Sequence, residues 1–269
     1  MAAPFDMDAR RQRRDRAVRT GPETFLERRA MEDVLDRLAM MTRPFERGLM
    51  VGSLDPESAT SLRTRVGQLT IVDPSALAAS AVDGTMIEEA DLGFDPGSFD
   101  LIVAAGTLAN ANELSDILLR FRFLLEPGGL LIGFVAGGDL LPRLRAAIAA
   151  ADAGRESHVP RFHPRLDPGG LTQLLAASGL LMPVVDVDRI EVRYSSMADL
   201  LRDLRGMGAT NVLSERSRKP ISRAARSVAE RAFVDGAVDG RTAEVVEILH
   251  FIGWSPDREG ETKASSPRS

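Results

Sequence analysis

Five short apolar runs, each trailed by a turn and most by a helical pattern, do most to narrow the folds open to this chain. They are Gly48 to Val51, Gln68 to Val72, Thr85 to Glu88, Leu101 to Ala105 and Leu130 to Val135. The most apolar of them carry branched residues without a polar alternation, as expected of strands buried on both faces of a parallel sheet. Between the last two, Leu114, Ile117, Leu118, Phe121, Leu124 and Leu125 recur at helical spacing, and Glu126-Pro127-Gly128-Gly129 ends that pattern. Two further strands are expected late in the chain. Val184 to Tyr194 alternates, and Val245 to Trp254 is apolar on both rows apart from Glu247 and His250, which suits a strand inserted inside the sheet. Repeated βα units of this kind predict an α/β domain with a largely parallel sheet.

In such a sheet the turn after the first strand commonly holds a ligand, so the segment Arg47 to Ser58 organises the functional reading. Gly52 permits a sharp turn, and Asp55-Pro56 opens a helix, with Asp55 as N-cap accepting from the N–H groups of Glu57 or Ser58. A phosphate- or carboxylate-binding turn needs several bare backbone N–H groups. Here Leu54 places a branched side chain in that approach, Pro56 removes a donor, and the charge of Asp55 opposes an incoming anion. The second strand ends at Asp73, about 20 residues beyond the Gly turn, where a carboxylate would bond ribose hydroxyls. Asp73 also precedes Pro74, so capping of the next helix is an equal reading.

Upstream of this unit, Met1 to Thr20 carries Arg10, Arg11, Arg13, Arg14, Arg16 and Arg19 among Asp8 and Asp15. It reads as a solvated helical arm with i,i+4 pairs, or as a docking segment for an acidic partner or nucleic acid. The net charge of −5 gives no general attraction to nucleic acid. Glu23 to Leu38 has helical spacing and leads into the core. Further on, Leu140 to Ala151 and the segment beginning at Asp167-Pro168 predict helices, joined by a polar connection over 155–167. Ser196 to Asp199 is a capping-box signature. Because Gly206 and Gly208 interrupt the helix it opens, the segment Ser196 to Asn211 is expected to form a lid or partner surface over the pocket mouth.

The absence of cysteine excludes disulfides, thiolate metal sites and a Cys nucleophile, and His158, His163 and His250 lack metal-ligand spacing. Met207 is expected to fill a gap in the core, and Tyr194 and Trp254 to pack at strand ends. Acidic residues in the first 20 positions argue against a mitochondrial presequence, no apolar run reaches membrane-spanning length, and a cytoplasmic location is expected. Three regions are expected: a basic arm over 1–20, a main domain over 21–255 and a disordered tail over 256–269.

The run Phe99-Asp100-Leu101-Ile102-Val103, a helix, and then Leu124-Leu125-Glu126-Pro127-Gly128-Gly129-Leu130-Leu131-Ile132 resembles class I S-adenosylmethionine-dependent methyltransferases, over roughly Gly48 to Phe134. Gly137-Gly138-Asp139-Leu140-Leu141, Phe162-His163-Pro164, Asp186 to Tyr194, Asp203 to Asn211 and Phe251-Ile252-Gly253-Trp254 extend the likeness to the methyltransferase-like complex I assembly factors. That family is similar to malonyl-carrier-protein methyltransferase and includes an arginine hydroxylase. The resemblance implies a Rossmann-like sheet in the order 3-2-1-4-5-7-6, strand 7 antiparallel. It implies S-adenosylmethionine at Gly52, Ser53, Asp73, Glu88 and Glu89, and a protein partner such as a respiratory complex I subunit or an active paralogue.

Departures from the family fall at the cofactor. Met50 and Leu54 stand where members carry an acidic residue and a Gly-x-Gly loop, and Ala109-Asn110 replaces a His-Trp pair that lines the pocket in many relatives. The expected function is therefore that of a degenerate, partner-binding or assembly-type pseudoenzyme. The competing expectation is an active methyltransferase, or a related protein-modifying enzyme, acting on a protein or carrier-bound acyl substrate.

Overall fold

The computed structural model describes residues 3–153 and 160–257. Helix α1 (Met7–Thr20) and helix α2 (Phe25–Ala39) precede the sheet. Then come β1 (Phe45–Val51), α3 (Pro56–Arg63), β2 (Val66–Asp73), α4 (Ala76–Ala81) and β3 (Thr85–Met86). The second half holds β4 (Phe99–Ala105), α5 (Leu114–Leu124), β5 (Leu125–Ala136), α6 (Pro142–Asp152) and α7 (Pro168–Ala177). It closes with β6 (Leu181–Tyr194), α8 (Met197–Gly206), α9 (Arg223–Val234) and β7 (Thr242–Trp254).

The seven strands lie in the order β3-β2-β1-β4-β5-β7-β6. The pairs from β3 through β5 are parallel, and β7 runs antiparallel to both β5 and β6. This is the topology expected above, with Val245 to Trp254 inside the sheet. Chain order reverses between β1 and β4, and ligands of open α/β sheets bind in the crevice at that switch point, outside the carboxyl ends of the strands.

Alternation along each strand builds two cores. Leu101, Val103 and Ala105 of β4 and Leu130, Ile132 and Phe134 of β5 face one side, with Met31 and Val34 of α2, Leu144 of α6, Leu200 of α8 and Phe233 of α9. Ile102 and Ala104, with Leu131 and Val135, face the other, against Leu118 and Phe121 of α5 and Leu171 and Leu175 of α7. The outermost strand, β6, presents Asp186, Asp188, Arg189, Glu191 and Arg193, charges that oppose edge-to-edge pairing.

Several boundaries differ from the periodic reading. The third strand is only two residues long. Glu126 to Gly129 belongs to the start of β5, where the pairing with β4 shifts register between Phe99 and Leu101, so a Pro-Gly-Gly stretch sits in an irregular strand rather than a loop. Helix α9 answers to no pattern noted above, although Ser222 caps it by accepting from the N–H of Ala225. Residues 154–159, with His158 and part of the 155–167 connection, lie outside the described residues, as do 258–269 of the expected tail.

Candidate functional site

Gly52, Ser53, Leu54 and Asp55 form the turn after β1. Gly52 has φ +80°, and a Cβ there would come within 2.1 Å of Thr107 Cγ2, so the turns after β1 and β4 meet only because this position is glycine. Asp55 caps α3 by accepting from the Ser58 N–H at 3.1 Å and the Ser58 hydroxyl at 2.6 Å. Its charge is also matched from outside by Arg28, 2.9 Å away. Burial raises its carboxyl, but Arg28 and Ser58 outweigh that and hold it below the usual carboxylate range.

The turn is closed by a carboxylate from another element. Glu27, on the first turn of α2, accepts from the Ser53 hydroxyl at 2.5 Å, from the Leu54 N–H at 3.0 Å and from the Asp55 N–H at 3.3 Å. Thr24 stands three residues earlier, and Thr-x-x-Glu is a capping-box spacing. Here the reciprocal cap is not made: the Thr24 hydroxyl reaches Asp55 at 3.3 Å, and Glu27 reaches across to the turn. Glu27 therefore fills the anion-binding group of donors that the resemblance reserves for a ligand. Burial pushes its carboxyl upward, while Ser53, Arg14 and the Leu54 N–H counter the shift.

Gly52, Ser53, Asp73, Glu88 and Glu89 all lie around the crevice, and their partners come from the chain itself. Asp73 is fully buried and accepts from the Ser53 N–H at 3.2 Å, the Ser75 N–H at 2.8 Å and Arg14, whose Nε is 3.0 Å away. The cap of α4 is Ser75, accepting from the Ala78 N–H, so Asp73 is not the helix cap that Pro74 suggested. Glu89, 1% exposed, receives both arms of Arg10, at 2.8 and 2.5 Å. Burial raises the Glu89 carboxyl, but Arg10 prevails and leaves it below its ordinary value. Arg10, 4% exposed, also donates to the Thr107 carbonyl at 2.9 Å. Glu88 is shared by Arg11 at 2.5 Å and Arg10 at 3.3 Å, and burial pushes its carboxyl upward. Asp15 completes the seam by accepting from the Ser75 hydroxyl at 2.5 Å.

These bonds correct the solvated-arm reading of α1 for one of its faces. Arg10, Arg11 and Arg14 point into the crevice, and Ala17 packs with Leu54 and Ala78 beneath them. Leu54, expected to crowd the turn, is the floor on which α1 rests.

Beside this seam two adjoining cavities open at the carboxyl ends of β4 and β5. The first, about 170 Å³, is walled by Leu26, Phe134, Leu141, Leu200 and Leu204, with Glu27 at its edge. The second, about 160 Å³, carries Arg145, His163 and Asn110. Met207 and Ala209 border both, which sets the end of α8 and the following turn over the mouth, as expected for a lid. Met207 thus lines a cavity rather than filling a gap in closed core. Tyr194 and Trp254 end β6 and β7 as anticipated. Among the described residues no group of acidic and histidine side chains is placed to hold a metal ion.

The sheet order, the crevice at the switch point and the late antiparallel strand agree with known structures. N-methyltransferase NodS from Bradyrhizobium japonicum, solved with S-adenosyl-L-homocysteine, superposes with a TM-score of 0.53 over 93% of this chain and 100% of that one, at 14% identity. The chain has the fold of class I methyltransferases. In sequence it is 28% identical over 267 residues to the mitochondrial arginine-hydroxylase NDUFAF5 of Danio rerio, covering 94% of this chain and 83% of the relative. It is 30% identical over 172 residues to the malonyl-[acyl-carrier protein] O-methyltransferase of Laribacter hongkongensis, covering 64% of this chain and 56% of that enzyme. No protein-family profile matches the chain. Among the described residues no helix is long and apolar enough to cross a membrane.

Proposed function

We propose that this methyltransferase-like chain acts by binding a protein partner, with its cofactor crevice held closed by its own N-terminal helices. One observation carries the reading: the donors and acceptors that would hold S-adenosylmethionine are already paired. Glu27 occupies the N–H groups of the turn, where the cofactor's carboxylate would go. Arg14 occupies Asp73, the ribose position, and Arg10 occupies Glu89 and the Thr107 carbonyl, the adenine side. The residues as arranged do not fit the cofactor.

Opening the crevice would strip buried charges of their partners, and removing one member of a buried ion pair costs about 3–5 kcal/mol. If the open form lies that far above the closed one, apparent affinity falls by roughly a hundredfold to a few thousandfold, so a micromolar site would bind in the range of about 0.1 mM to millimolar. The partner we propose is a respiratory complex I subunit or an active paralogue, as the family resemblance suggests, whereas the similarity to an arginine-hydroxylase favours the protein-modifying alternative. We place the protein in the cytoplasm, with α1 as part of the functional domain rather than a free arm.

The competing reading, an active methyltransferase on a protein or carrier-bound acyl substrate, draws on the same Asp73, Glu88 and Glu89. Thermal melting with S-adenosylmethionine separates the two. The wild type is expected to shift by no more than about a degree at millimolar cofactor, because a ligand at its dissociation constant stabilises by only about 0.4 kcal/mol. A ligand at 100 times its dissociation constant stabilises by about 2.7 kcal/mol, several degrees in a domain of this size. Glu27→Ala combined with Arg14→Ala is expected to gain a shift, whereas Leu54→Gly with Pro56→Gly is not, because the turn is blocked by Glu27. A saturable wild-type shift would restore the enzyme reading.

A further inference from the structure

Two adjoining cavities at the carboxyl ends of β4 and β5 are left over once the paired carboxylates are accounted for, and they differ in chemistry. At one end Arg145 is held ready. Its Nε donates to the Leu140 carbonyl at 2.8 Å, and its guanidinium lies 4.6 Å from the centre of the Phe162 ring. Among the described residues no carboxylate pairs with it: Asp139 lies beyond, 3.8 Å from both Arg165 and Arg189. His163 lines the same end. Its Nε2 accepts from the Val212 N–H at 3.1 Å, which puts the ring proton on Nδ1 and makes that atom a donor. Burial, aided by Arg145, lowers the imidazole to about 4, so it is neutral near pH 7. Asn110 completes this end with a side-chain amide that makes no hydrogen bond, its Oδ1 buried. The neighbouring cavity is mainly apolar, lined by Leu26, Phe134, Leu200 and Leu204 with Glu23, Glu27 and Glu247 also on its wall, and Arg14, Leu140 and the flexible Met207 border both parts.

Donors at one end and hydrocarbon at the other select an amphipathic anion. We propose that this pair of cavities binds a small monocarboxylate with a short aliphatic chain, its carboxylate on Arg145 with His163 and Asn110, its chain running past Met207 toward Leu204. The planar guanidinium offers a carboxylate its two remaining nitrogens, and the apolar end accepts methylenes without an unpaired polar group. Inorganic phosphate could meet the donors but would leave the apolar end unused. Arg14 and Glu27, which hold the crevice closed, also line this site, so the proposal rests on that closed arrangement.

Titration of the full chain with hexanoate, acetate, hexylamine and inorganic phosphate, followed by calorimetry and methyl NMR, tests this. Hexanoate should bind saturably, and shift the Met207 and Leu204 methyl signals. Each buried methylene is worth about fourfold in affinity, so acetate should bind on the order of a hundredfold more weakly. Hexylamine should not bind. Arg145→Gln should weaken hexanoate by about tenfold or more, the loss of a charge-assisted bond, and Arg145→Lys by less. Hexanoate failing to saturate, shifts appearing elsewhere, or acetate or phosphate binding as tightly as hexanoate would overturn the proposal. Should Arg145→Gln not fold, the methyl shifts in the unaltered protein decide it.

Discussion

At the scale of single residues, the Arg10–Glu89 pair ties the N-terminal helix to the turn after β3. Both side chains are almost wholly buried, so truncating either leaves the other charged and unpaired. Arg10→Ala is expected to destabilise the protein by about 3–5 kcal/mol, and Arg10→Ala with Glu89→Ala by clearly less than the sum of the single changes. Additive losses in denaturant melts would mean that the two charges do not depend on each other. His163 makes a second prediction. Its folded value of about 4 lies below the ordinary 6.5, so the unfolded chain takes up the proton first as pH falls. The stability gained by burying a neutral imidazole is whole above pH 6.5, is lost between 6.5 and about 4, and levels off below. An NMR titration should place the His163 midpoint near 4; a midpoint near 6.5 would contradict the buried geometry. Neither residue's role could be read from the chain alone. Nothing local distinguishes Arg10, which is buried, from Arg13 beside it, because the difference lies in Glu88 and Glu89, far off in sequence.

At the scale of elements, the βα order, the inserted β7 and the lid at α8 were legible because each follows from periodicity, glycine placement or a cap. Glu27 was not. Its spacing from Thr24 belongs to a local capping box, and only the tertiary approach of α2 to the turn after β1 gives it a different set of donors. Helix α9 does carry a local signal, since Ala225, Val228, Ala229, Ala232 and Phe233 recur at helical spacing behind the cap at Ser222, and Ala229 and Phe233 are buried in the core with Leu144 and Ala147 of α6. Helix α1 supplies the element-scale prediction. If Arg10, Arg11, Arg14 and Asp15 bind it as described, its amides should exchange only through openings near the global unfolding energy. Hydrogen exchange over α1 as fast as that of a frayed terminus would show a loose arm. Gly133 gives a complementary test of the sheet. A Cβ there would meet the Ala104 carbonyl oxygen at 2.4 Å, so Gly133→Ala should cost about 1–3 kcal/mol or more by overpacking β4 against β5.

At the scale of the molecule, a class I methyltransferase-like sheet retains the crevice of its fold, and the first 30 residues supply the groups that fill it. Asp73, Glu88 and Glu89 read from sequence as ligand contacts, and the structure pairs each with an arginine of α1. Position along the chain identified the carboxylates but could not say what they face. Titration calorimetry with S-adenosyl-L-homocysteine, against the wild type and against Glu27→Ala combined with Arg14→Ala, measures this directly. Closure from within predicts at most millimolar binding to the wild type, and clearly tighter binding once the two side chains are gone. Saturable micromolar binding to the wild type, abolished by Asp73→Ala, would contradict it.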